Sequence, residues 1–202
     1  MEKVSYILDC LRASVRMDIL RVALLCSFFF FAQVWSLPTN CVLSKELMED
    51  SYKVLNTGGL FPSQCLAEKV AIHFPRNAFY SETTDQVAGV EKAVYQTLEN
   101  IDALFENSSD PALDQWDEQN WINFRGLIYK QIVKSKCIMK NSEEAQDFPS
   151  REASLRVYFE TLSSTLKEKD FSYCAWEIVR NEILRTLKFI LDDTKLFKSS
   201  KS

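Results

Sequence analysis

Leu155-Arg156-Val157-Tyr158-Phe159-Glu160-Thr161-Leu162-Ser163-Ser164-Thr165-Leu166-Lys167-Glu168-Lys169-Asp170-Phe171-Ser172-Tyr173-Cys174-Ala175-Trp176-Glu177-Ile178-Val179-Arg180-Asn181-Glu182-Ile183-Leu184-Arg185 is the stretch that decides the fold. Apolar residues recur at helical spacing on both sides of a short charged break, which predicts two amphipathic helices joined by a tight turn. Cys174 and Trp176 open the second helix and supply a covalent staple and a core anchor. At about 100° per residue, with Trp176 as the origin, Val179, Ile183, Leu187 and Ile190 fall within about 60° and form the inward stripe. Glu177, Asn181, Leu184, Arg185 and Lys188 fall on the far side, and Arg180 borders the two. Leu184 ringed by cations has the makeup of a binding hot spot, although single exposed apolar residues are ordinary on any surface.

Outward from this stretch the chain stays helical in pattern. It contains only four glycines and five prolines, and its apolar residues almost nowhere alternate as in strands. Five helices are predicted. Helix A covers about Leu43 to Leu55, with Leu43, Leu47, Ser51 and Val54 inward, and Gly58-Gly59 stops it. A long connection over about 56–83 holds Pro62, Cys65 and Pro75. Helix B starts near Thr83, where Thr83-x-x-Gln86 fits a capping box, and carries Val87, Val90, Val94, Ile101 and Phe105 inward. Helix C covers about Gln115 to Met139, with Trp121, Phe124, Ile128 and Ile132 inward. Pro149-Ser150 opens helix D, and Asp170 or Ser172 starts helix E, which runs to about Asp193. The expected fold is all-α: an up-up-down-down four-helix bundle with an extra helix. The connection between A and B is long enough to run the length of a bundle, so that A and B can lie parallel.

The first 36 residues do not belong to that domain. Arg12, Arg16 and Arg21 lead into the apolar run Val22 to Ala32, and Val34 and Ser36 are small enough for a cleavage site. This predicts a secretory signal peptide over 1–36, cleaved between Ser36 and Leu37, with Met17 as a possible second start. The run falls short of the roughly 20 residues that span a bilayer. The expected mature domain is 37–202. It keeps 20 basic and 25 acidic side chains, a net charge near −5 that argues against a nucleic-acid partner. Four cysteines remain: Cys41, Cys65, Cys137 and Cys174. An even count in a secreted chain implies two disulfides, with three possible connectivities. Neither a Cys-x-x-Cys pair nor a second histidine accompanies His73, so zinc is not expected.

The segment 155–185 resembles the C-terminal signature of type I interferons, in which a Tyr-Phe pair precedes a Leu-Lys-Glu-Lys turn and a Cys-Ala-Trp-Glu helix start. Cys65-Leu66-Ala67-Glu68-Lys69 followed by His73-Phe74-Pro75 resembles the A–B loop of the same family. The cysteine order is most similar to that of the four-cysteine interferons of bony fish. The resemblance implies pairing of Cys41 with Cys137 and of Cys65 with Cys174. It also implies that helix E and the A–B loop bind the high-affinity receptor chain, through Arg180, Asn181, Leu184, Arg185 and Lys188 on the helix and Leu66 and Lys69 in the loop. Lys69 stands where relatives often carry arginine, whose planar fork lysine does not reproduce. The second receptor chain would meet helices B, C and D, with Arg156 as a basic contact.

Catalysis is not expected. His73 has no Gly-x-Ser-x-Gly elbow beside it, and no phosphate-binding glycine loop is present. Adjacent acids such as Glu143-Glu144 and Asp192-Asp193 point apart on a helix. No cofactor is implied. Asn107-Ser108-Ser109 is the one glycosylation sequon. The resemblance thus implies a secreted, extracellular, monomeric antiviral cytokine. It would bridge two class II cytokine receptor chains, trigger Janus kinases and need no membrane insertion of its own. The alternatives are a type III interferon or interleukin-10-like ligand, and a helical lipid carrier. An exposed Arg185 is expected to contribute little to packing.

Overall fold

The computed structural model describes residues 41–81, 86–106, 116–141, 145–192 and 196–197. The proposed leader 1–36, Thr83, Asn107 and the tail 198–202 lie outside the described residues. Among the described residues, five long helices and one single-turn helix form: α1 Lys45–Asn56, α2 Val87–Glu106, α3 Glu118–Ser135, α4 Ile138–Asn141, α5 Phe148–Glu168 and α6 Tyr173–Asp192. Two 3₁₀ turns, Ser63–Glu68 and Arg76–Ala78, interrupt the long connection after α1.

Short polar side chains set several of the helix starts. Ser44 Oγ accepts from the Leu47 amide ahead of α1, and Asp117 Oδ1 accepts from the Asn120 amide at 2.8 Å ahead of α3. Ser172 Oγ does the same for the Ala175 amide at the start of α6. Each satisfies an amide that has no partner inside the helix. The turn between α5 and α6 puts Asp170 and Phe171 in the left-handed region, at φ 48° and 51°. There the Phe171 amide donates back to the Leu166 carbonyl at 2.8 Å and closes the end of α5.

The predicted bundle forms, with three local differences. Helix C is shorter than its periodicity suggests: α3 ends at Ser135, the chain breaks at Lys136-Cys137, and α4 follows as a separate turn. The break coincides with the Cys137–Cys41 disulfide, which ties this point to the chain ahead of α1. The buried arc of α1 is centred on Met48, Ser51 and Leu55, with Leu47 and Val54 only half-buried. The helix packs against both α3 and α6, and that double contact rotates its inward face from the expected stripe. Burial on α2 extends well beyond the expected stripe to Lys92, Tyr95, Thr97 and Leu98, because α3, α4 and α5 all pack against it.

The core joins Leu98, Ile101, Phe105, Phe124, Leu155, Leu162, Trp176, Ile183 and Leu187, all fully buried. Burying such a side chain contributes about 1.5–3 kcal/mol for the aliphatic and phenyl cases. Phe105 stacks on Trp176 at 5.4 Å between centroids and meets Trp121 edge-on at 4.4 Å. Cys41 is bonded to Cys137 and Cys65 to Cys174, closing loops of 96 and 109 residues. On the chain-entropy account each loop contributes up to roughly 4–5 kcal/mol by restricting the unfolded chain.

Candidate functional site

The connection 57–81 has little regular structure of its own, so its backbone carbonyls need partners from elsewhere. Three arginines supply them. Arg180 Nη2 donates to the Gly59 carbonyl at 3.1 Å and Nη1 to the Leu55 carbonyl at 3.3 Å. Arg185 Nη2 donates to the Ile72 carbonyl at 3.2 Å, and its guanidinium lies 4.9 Å over the Phe74 ring. Arg151 Nη1 reaches three carbonyls, those of Asn77, Ala78 and Tyr80, at 2.8–3.1 Å. The Cys65–Cys174 bond fixes the middle of the connection to the start of α6.

Each arginine has an acidic partner one turn away. Glu177 Oε2 accepts from Arg180 Nε and Nη2 at 3.0 and 2.7 Å, and its other oxygen accepts from Trp116 Nε1 at 2.8 Å. Asp147 Oδ2 pairs with Arg151 at 2.6 Å. Glu182 pairs with Arg185 and accepts from the Tyr158 hydroxyl at 3.1 Å. Burial pushes the Glu182 carboxyl up from its ordinary range, against the pull of Arg185, Tyr158 and Lys69. The same burial, reinforced by the Glu182 charge, pushes the Tyr158 phenol up. Two glycines make room for these arrangements. A Cβ on Gly58 would sit 3.1 Å from Arg180 Nη1, and one on Gly89 would collide with the Asp147 carboxylate.

The expected site residues divide accordingly. Leu66 is 59 % exposed, and Lys69 and Lys188 are exposed. Asn181 and Leu184 are half-buried, with Leu184 packed against the core. Arg185 and Lys188 line an open groove of about 590 Å³ with Ile72, Phe74 and Phe189. Lys69 lies 5.8 Å over the Phe61 ring within the same connection. Arg180 does not stand at the border of an outer face: it is 2 % exposed. Glu177, placed outward by the helical wheel, is equally buried. The wheel treats α6 as one helix against one core, whereas the end of α1, the loop at 55–59 and Trp116 cover its first two turns from the other side. Arg185 is exposed, as expected, but its guanidinium is tied to the Ile72 carbonyl and the Glu182 carboxylate.

Arg156 is exposed on α5 and lines a different groove, of about 410 Å³, with Gln96, Asn100 and Leu104 of α2. The sequence pattern marks only inward residues on α3, yet Ile122, Tyr129 and Val133 are exposed there, Tyr129 by 63 %. Their spacing of seven and four residues places them on one stripe. That spacing was available in the sequence, but the inward stripe through Phe124 and Ile128 dominates the same helix. Among the described residues no group of three or more His, Cys, Asp or Glu is placed to hold a metal. None of their helices is long and apolar enough to cross a membrane.

The arrangement offers composite protein surfaces, and comparison with known proteins gives it a lineage. Residues 43–197 match the interferon alpha/beta domain. The chain is similar to human interferon kappa, 28 % identical over 189 residues that cover 84 % of this chain and 89 % of the relative. It is similar to human interferon beta, 35 % identical over 101 residues covering 48 % and 53 %. Among solved structures, zebrafish interferon 2 superposes with a TM-score of 0.70 at 40 % identity, covering 75 % of this chain and 99 % of that one. The cysteine order, the bundle and these matches agree, and the chain belongs to the interferon alpha/beta family, the type I interferon cytokines.

Proposed function

We propose that the protein is a secreted antiviral cytokine whose mature part, 37–202, holds two different class II cytokine receptor chains together. The high-affinity chain docks on the α6 face, against Leu66, Lys69, Asn181, Leu184, Arg185 and Lys188. The second chain docks on the other side, against the groove containing Arg156 and the α3 stripe of Ile122, Tyr129 and Val133. Receptor tails brought together in this way let their Janus kinases activate each other and induce antiviral genes. The ligand itself supplies no chemistry. It acts as a rigid monomeric spacer, and capture by the first chain raises the effective concentration for the second. Asn107, the residue that follows α2 in the sequence, would carry a glycan.

The observation that carries this reading is the anchoring of an irregular loop onto α6 by a disulfide and by arginine side chains. Such anchoring presents exposed Leu66 and Lys69 with a fixed geometry, which lowers the ordering cost on binding. Treating responsive cells with refolded 37–202, with each receptor chain deleted in turn, tests it. Reporter induction should require both chains, and persistence after either deletion would refute the bridging mechanism. The lipid-carrier alternative has little support, since Phe124 and Trp176 fill the interior and the grooves of about 590 and 410 Å³ lie open at the surface.

A further inference from the structure

Arg180 occupies a position that the family resemblance marks as a receptor contact, yet a docking protein would find almost none of it. The residue is 2 % exposed, and four of its five guanidinium N–H donors are bonded: two to Glu177, one to the Leu55 carbonyl and one to the Gly59 carbonyl. The residue directly after the clamped carbonyl is Leu60, which is 94 % exposed, more than any other large apolar side chain described. A Cβ on Gly58 would meet the guanidinium at 3.1 Å, closer than ordinary van der Waals contact. Leu60 thus stands in solvent directly after a backbone carbonyl that a buried ion pair holds.

We infer that Arg180 and Glu177 are positioning residues, and that the contact they prepare is made by Leu60. The pair acts on receptor affinity without touching the receptor, by fixing the backbone at 55–59 just ahead of Leu60, whose neighbour Phe61 lies 5.8 Å under Lys69. This rests on the proposed α6 receptor face and adds to it a residue and a division of labour. Arginine suits the task because its planar fork serves a carboxylate and two carbonyls at once. Lysine would keep the charge opposite Glu177 and lose the simultaneous reach.

The test uses Arg180→Lys, which keeps the buried charge paired, together with Leu60→Ala, Lys188→Ala and the double variant Arg180→Lys/Leu60→Ala, all in the disulfide-bonded 37–202 protein. Two readouts are needed. Amide hydrogen exchange over 55–61 in the free protein reports the clamp without any receptor. Surface plasmon resonance against the immobilised receptor ectodomain that binds the unmodified protein most tightly reports affinity. The expected results are exchange at 55–61 at least tenfold faster in Arg180→Lys, affinity about tenfold weaker for Arg180→Lys and for Leu60→Ala, and a double variant little worse than either single one. Unchanged exchange in Arg180→Lys overturns the clamp. Additive losses in the double variant overturn the positioning role and return Arg180 to an independent contact. Accelerated exchange with no affinity loss in any variant, Lys188→Ala included, refutes the α6 receptor face, and the inference falls with it.

Discussion

The face carried by α6 and the connection 57–81 joins groups up to 121 residues apart in sequence, as between Arg180 and Gly59, whereas the stripe on α3 comes from one helix. The first face is polar at its rim and depends on a disulfide, three arginines and their acidic partners. The second is three apolar side chains at helical spacing. The difference teaches that a surface made from irregular chain inherits the stability of whatever ties it down, while a surface on a packed helix inherits only that helix. Damage to the anchors should therefore disable one face and spare the other.

The largest effect is expected from replacing Cys65 and Cys174 together by serine. Losing this disulfide should lower stability by about 2–5 kcal/mol, read as a drop in thermal midpoint. Binding at the α6 face should fall further than binding at the α3 face. Equal losses at both would show that the two faces share one stability. Arg185→Ala comes next. It leaves the buried Glu182 without its ion-pair partner and the Ile72 carbonyl without its donor, which should destabilise by about 1–3 kcal/mol as well as weaken the α6 face. Urea titration with an unchanged midpoint would mean that Arg185 is the free surface arginine the sequence suggests. On the other face, Tyr129→Ser should change stability by no more than about 0.5 kcal/mol and reduce binding of the second receptor chain alone. A large stability loss there would show that the stripe is covered in the folded protein.

The smallest effect concerns pH. The folded-state pKa of Glu182 lies above its unfolded value, so its contribution to stability is favourable below the ordinary carboxyl range and is lost as pH rises through the raised value. Glu182→Gln, which is neutral throughout, should therefore be the more stable form at pH 7. Its advantage should shrink as the pH falls and the native carboxyl takes up its proton. A gap that widens on acidification would mean that Arg185 holds Glu182 ionised more strongly than burial opposes it.

Much of this architecture is legible in the residues. The inward stripe Trp176, Val179, Ile183, Leu187 and Ile190 is buried as a helical wheel places it, because periodicity reports the side of a helix that meets the core. Periodicity does not report a second cover. Glu177 looks outward on the wheel and Arg180 borders the two faces, yet both are buried because the end of α1, the residues after it and Trp116 close over them, and no local pattern announces where a loop will land. The disulfide pairing came from family resemblance rather than from spacing, since four cysteines leave three pairings open. Of the site, Leu66, Lys69, Lys188 and Arg156 stand on the surface as expected. The α3 stripe was hidden by the stronger inward signal of its own helix.

The aromatic cluster has an optical consequence. Trp116, Trp121 and Trp176 lie within 6.3 Å of one another or of Phe105, and the Trp116 indole shares the Glu177 carboxylate with Arg180. Fixed rings this close give an asymmetric near-ultraviolet dichroism that vanishes when tertiary packing loosens. Release of the loop at 55–59 would disturb the indole that shares its anchor, so the molecule carries a built-in chromophore for the state of one of its own surfaces.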